Sequence, residues 1–229
     1  MKKIGSMMVF FGCVPVDRDT AELEERSGFT CPVWASISPV DSVRTFETTS
    51  GYESNTGLSS RFVSTVVSVT DFPTGIEMFL AVDGNSESSS WESYRYQTQS
   101  VYRCDDAGAW LVRSDTSSTM VVDGITVESV VSTEYRDTFL MPGNLAIGDA
   151  WQSVFSGTTV DNAGVSNDFS YVIESEVTAS DTVDVGAGSF AALVIEESFQ
   201  DGSQAEYRVA PGPGFLSSED YELVAYSSP

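Results

Sequence analysis

Residues 119–131 read TMVV-DG-ITVESVV, and this short run decides the architecture. Two stretches rich in β-branched residues flank Asp123-Gly124. That dipeptide suits a two-residue type I′ turn, in which both central positions require φ > 0. The reading is a β-hairpin, and the same grammar extends along the chain. In 76–82, Ile76, Met78, Leu80 and Val82 share one face, with Glu77, Phe79 and Ala81 on the other. In 169–177, Phe169, Tyr171, Ile173 and Val177 alternate with Ser170, Glu174 and Glu176. In 190–199, Ala191, Leu193, Ile195 and Phe199 alternate with Ala192, Glu196 and Ser198. A period of two marks strands that bury one face.

The punctuation agrees. Asp83-Gly84 and Asp201-Gly202 read as further hairpin turns. Gly75, Gly108, Gly148, Gly188 and the Pro211-Gly212-Pro213-Gly214 run mark others. About twelve to fourteen strands linked as hairpins are expected, and no window after residue 30 sustains a helical period. The expected fold is all-β: a curved antiparallel meander over 31–229, forming a half-barrel or sandwich-like single domain. A faint internal repeat suggests similar halves near 31–115 and 140–229. Each half runs from a Trp segment (Trp34, Trp151) through a strand ending in Asp-Gly to an aromatic strand entering a Gly turn.

The chain has 229 residues, 41% hydrophobic and 11% aromatic, enough for a real core. Thirty-four acidic residues against eleven basic ones leave a net charge of −23. Such a field repels nucleic acid, whose binding depends on Lys and Arg displacing counterions from phosphate. No nucleic-acid partner is expected.

Both lysines of the chain, Lys2 and Lys3, stand beside the first methionine in MKKIGSMMVFFGC (1–13). A charged start, the apolar run Ile4–Phe11 and then Gly12-Cys13 are too short to span a bilayer. The stretch resembles a bacterial lipoprotein signal. That resemblance implies removal of 1–12, lipidation of Cys13 as the first mature residue, and a tether over 13–30. It also implies an exported protein, lipid-anchored at the cell envelope on an outer membrane or the cell surface. Export would permit a disulfide between Cys31 and Cys104, with two buried thiols as the alternative.

LAIGDAWQS (145–153), VDVGAGSFAALVIE (183–196), YRVAPGPGFLSS (207–218) and YELVAY (221–226) resemble a group of uncharacterised bacterial secreted and lipoprotein β-sheet domains. The resemblance implies a curved antiparallel sheet and carries no catalytic motif.

Much chemistry is excluded outright. With no histidine there is no Ser-His-Asp or Cys-His nucleophile. No lysine beyond residue 3 leaves no Ser-Lys or Schiff-base site in the mature domain. Phosphate-binding and dinucleotide-binding glycine motifs are absent. The chain is expected to be no enzyme and to need no cofactor. Carboxylates remain: Glu174 with Glu176 on one strand face, and adjacent Glu196 and Glu197 pointing oppositely. A glycosidase needs two acids facing each other across a cleft, and these acids read as belonging to a polar face. In DNAGVSND (161–168), Asp161 and Asp168, with Asn162 and Asn167, form a weak calcium candidate that departs from the EF-hand pattern; a polar turn is the plainer reading. Tyr94, Tyr96 and Tyr102 share a face with Cys104, either as core or as the lining of a binding groove.

The functional expectation is a non-catalytic envelope lipoprotein acting as an interaction or scaffold module, meeting an unknown envelope protein on a sheet edge or aromatic patch. The alternative is a carrier holding a hydrophobic ligand on a concave sheet. A carboxylate glycosidase comes third.

Overall fold

The structure is a computed structural model that describes residues 40–72, 75–88 and 91–229. The leader with Cys13, the tether and Cys31 lie outside these residues. Twelve strands follow one another: β1 (Val43–Thr48), β2 (Leu58–Phe72), β3 (Gly75–Ser88), β4 (Trp91–Asp105), β5 (Gly108–Val122), β6 (Ile125–Pro142), β7 (Ala150–Asp161), β8 (Ser166–Val185), β9 (Gly188–Phe199), β10 (Gln204–Ala210), β11 (Gly214–Ser218) and β12 (Tyr221–Ser227). Every pair is antiparallel, and each strand neighbours the next in sequence.

The all-β antiparallel expectation holds, but the sheet does not stop at a half-barrel or sandwich. Strand β1 pairs with β2 on one side and with β12 on the other, from Val43↔Ser227 to Thr48↔Tyr221, and this closes a barrel. Bulges in the β1–β12, β2–β3, β3–β4, β4–β5, β5–β6, β8–β9 and β10–β11 ladders supply the bending. An extra residue on one strand kinks it and increases its twist.

The 119–131 run forms its hairpin as read: Val122 pairs with Ile125, and Asp123 and Gly124 carry φ of 51° and 72°. Asp201-Gly202 also turns, with Gly202 at φ 82°. Asp83-Gly84 does not. It lies within β3, where Gly84 faces Tyr96 of β4 and a Cβ would stand 2.2 Å from the tyrosine ring. That glycine makes room for a ring rather than for a turn. One short helix, α1 (Ser50–Thr56), links β1 to β2 and buries no side chain. Thr49 Oγ1 accepts from Tyr52 N–H at its start, and Gly57 in the left-handed region stops it.

The inward faces form the core. Ile76, Met78, Leu80 and Val82 are all buried, as are Ile173 and Val177, with Phe169 and Tyr171 packed against them. In β9 the expected alternation fails: Ala191 is exposed, whereas Ala192, Leu193, Val194 and Ile195 are all buried. The register slips at Thr178 of the neighbouring β8, and a bulge re-aims the side chains beyond it. Rings from non-adjacent strands meet inside. Phe46 of β1 stacks on Phe62 and also reaches Phe215 of β11, 5.6 Å between centroids. Phe155 and Tyr171 stack at 5.0 Å.

Two seams are thin. Strands β11 and β12 pair only at Ser217↔Glu222, and the β8–β9 turn leans in there, Ala187 N–H donating to Leu223 O. Strands β6 and β7 pair only through Val131–Tyr135, and Trp151 Nε1 bridges the gap beyond by donating to Leu140 O at 2.9 Å.

Candidate interaction surfaces

Two outward features stand out. The first is a groove of about 520 Å³ over the outer wall of β2–β5. The register builds it in rows. Glu47, Arg61, Asn85, Arg95 and Thr119 lie directly opposite one another across β1 to β5; Val63, Asp83, Gln97 and Ser117 form the next row. Directly opposed residues share a face, and alternate residues, Phe62, Gly84, Tyr96 and Ser118, turn the other way. Gln97 Nε2 donates to Asp83 Oδ1 at 2.6 Å, and Arg61 lies 3.5 Å from the Glu47 carboxylate. The exposed Arg103, Arg113 and Arg136 each hold a carboxylate within 3.3 Å, and the half-buried Arg208 holds Glu206. Among the described residues Arg95 has no ion-pair partner.

The second feature is the far half of the β5–β6 hairpin. Residues Ile125–Val130 pair with β5 on one side and with no described strand on the other, because the β6–β7 ladder begins only at Val131. Ile125 is 66% exposed, Val127 48% and Val130 47%. A strand edge of this composition is a template for another strand.

The sequence-expected sites fare differently. Tyr94, Tyr96 and Tyr102 do share one face with Cys104, and that face is the interior: Tyr102 and Cys104 are buried, Tyr94 and Tyr96 half-buried. Burial raises the Tyr96 and Tyr102 hydroxyls above the ordinary phenol value. Asp161 and Asp168 are not brought together. Asp161 Oδ1 accepts from Ala163 and Val165 N–H within its own turn, while Asp168 accepts from Thr158 and Arg136. Arg136 and the Thr158 hydroxyl hold the Asp168 carboxyl below its usual value, Thr158 most strongly. Glu174, Glu176 and Glu196 face outward.

Glu197 does not belong to the polar face; it is buried inside the barrel. Burial pushes its carboxyl up to about 7, and the neighbouring Tyr207 hydroxyl offsets part of that rise. Its parity with Ile195 and Phe199 was the available signal. Among the described residues it is the one buried carboxylate, so no acid pair is assembled around it. A second interior charge, Arg44, also went unanticipated. Its Nε donates to Pro213 O at 2.8 Å and its guanidinium lies over the Tyr226 ring, tying β1 to the β10–β11 turn.

No family model and no curated protein matches the chain. Among solved structures it is similar to a β-barrel-like protein of the domain of unknown function DUF1849 from Brucella abortus. The identity is 10% and the TM-score 0.46, over 84% of this chain and 99% of that one.

Proposed function

We propose that the protein is a non-catalytic module of the bacterial envelope, anchored through lipidated Cys13, that docks an extended segment of another envelope protein along the edge of β6. The observation that carries this reading is the unpaired edge Ile125–Val130, with Ile125, Val127 and Val130 exposed along it. Closing into a barrel is how a sheet avoids adventitious pairing, and this stretch lies outside the β6–β7 ladder that would close it. Natural edges are usually blunted by lysine, proline or bulges; this one has none of these. Strand addition would satisfy its backbone groups, and side chains on alternate residues would select the partner. Glu128 sits mid-edge on a chain of net charge −23, so a second copy would bring like charges together. A segment with Lys or Arg opposite Glu128 is favoured.

The interior supports docking over carrying. Phe46 against Phe215, and Tyr207 near Phe215 at 6.3 Å, fill space that a hydrophobic ligand would need. We also propose that Cys104 pairs with Cys31, as export to an oxidising compartment would permit.

Site-specific photo-crosslinking in intact cells tests the reading. A crosslinker at Val130 should give one defined adduct with an envelope protein, and a crosslinker at the exposed Gln99 of β4, paired on both sides, should give none. Adducts from neither position, or equally from both, would overturn docking at β6. Native mass spectrometry addresses the carrier: an extra few hundred daltons lost on denaturation would favour it. Loss of acyl labelling in Cys13→Ser tests the anchor.

A further inference from the structure

We propose that the groove between Arg61 and Arg95 is a binding site for an acid-bearing glycan, with Arg95 taking the sugar carboxylate. This goes beyond the docking edge and uses a different wall of the barrel.

The chain carries 34 acidic residues, yet among the described ones none serves Arg95. The registry explains why: its direct cross-strand neighbours on the outer face are Asn85 and Thr119, both neutral. Asp83, in the adjacent row, already accepts from Gln97. Arg61 stands in the same row as Arg95, two strands away, about 10 Å at the spacing of neighbouring strands. Arg95, and Arg61 with its Glu47 partner, thus stand on either side of Asn85 in the lining of a groove of about 520 Å³, within the roughly 300–1,000 Å³ range of small-molecule sites.

The remaining lining narrows the ligand. Asn85, Gln97, Ser117 and Thr119 offer neutral donors and acceptors suited to hydroxyl groups. Asp83 would repel a bare dianion such as phosphate but accepts from sugar hydroxyls. A net charge of −23 also penalises a dianion more than a monoanion. The planar fork of arginine matches a carboxylate with two parallel hydrogen bonds. One carboxylate on a hydroxyl-rich body meets all of these requirements.

The test is side-chain NMR on the full, ¹⁵N-labelled chain, following the arginine Nε–H signals during titration with D-glucuronate, D-glucose and inorganic phosphate. The expected result is a saturable shift of Arg95 and Arg61 with glucuronate, while Arg103 and Arg113, which do not line the groove, stay in place. Arg95→Ala should weaken the response at Arg61 at least tenfold, with Arg95→Lys between that variant and the native chain. No shift at Arg95, shifts of equal size at all four arginines, or phosphate binding as tightly as glucuronate would each overturn the proposal.

Discussion

Glu197 of β9 and Tyr207 of β10 lie side by side inside the barrel, and each is raised by burial, the carboxyl to about 7. The pair makes folding sensitive to pH in an unusual direction. A carboxyl raised in the folded state binds its proton more tightly there than in the unfolded chain. Its contribution is therefore most favourable at low pH and is lost as pH rises from about 4.5 to about 7.

Glu197→Gln should abolish that component. At pH 8 the variant should be more stable than the native chain by about 1–3 kcal/mol, and at pH 4.5 the two should nearly coincide. Urea unfolding at the two pH values measures the difference; an equal gap at both would separate the effect from titration of Glu197.

Gly84→Ala places a methyl where the Tyr96 ring lies. Overpacking of this kind costs about 1–3 kcal/mol. Tyr96→Leu combined with Gly84→Ala should recover part of the loss, because the obstructing ring is gone. Thermal unfolding of the two single variants and the double variant gives the coupling.

Trp151→Phe removes the indole donor to Leu140 O across the β6–β7 gap. Ser153 Oγ, 3.4 Å from the same carbonyl, remains as a weaker donor. A loss of about 1 kcal/mol is expected, with faster amide exchange along β6 from residue 138 to 141 as its local signature.

Raising NaCl from about 0.05 M to about 0.5 M should stabilise the barrel, because screening relieves the self-repulsion of a −23 chain. Exposed pairs such as Arg61–Glu47 and Arg113–Glu134, both at 3.5 Å, weaken under the same conditions but contribute little. A midpoint that falls with salt would mean that the ion pairs dominate.

Local order was legible in the residues. The alternation at 76–82 named its buried face correctly, and Asp123-Gly124 marked a real turn, because both properties depend on immediate neighbours. Asp83-Gly84 misled because a dipeptide does not reveal whether its glycine bends the chain or admits a ring from the next strand. Helix α1 was invisible because its seven residues bury nothing and leave no periodic trace. Closure was invisible because Val43↔Ser227 is a match between distant residues. The groove shares that difficulty: Arg61 and Arg95 become neighbours only through Asn85, by two successive registers.

The meeting of β1 with β12 also sets a timetable. The Ser42 and Ser228 hydroxyls approach to 3.5 Å across 186 positions of sequence, so the ring cannot close until nearly the whole described chain has been delivered. Hairpins form early and cheaply, whereas a contact of this span places the chain among slow folders. Until β12 arrives, β1 and β11 each present an open edge. A chain that emerges N-terminus first would thus pass through a sheet with open edges, and its last seven-residue strand acts as the latch that ends that exposure.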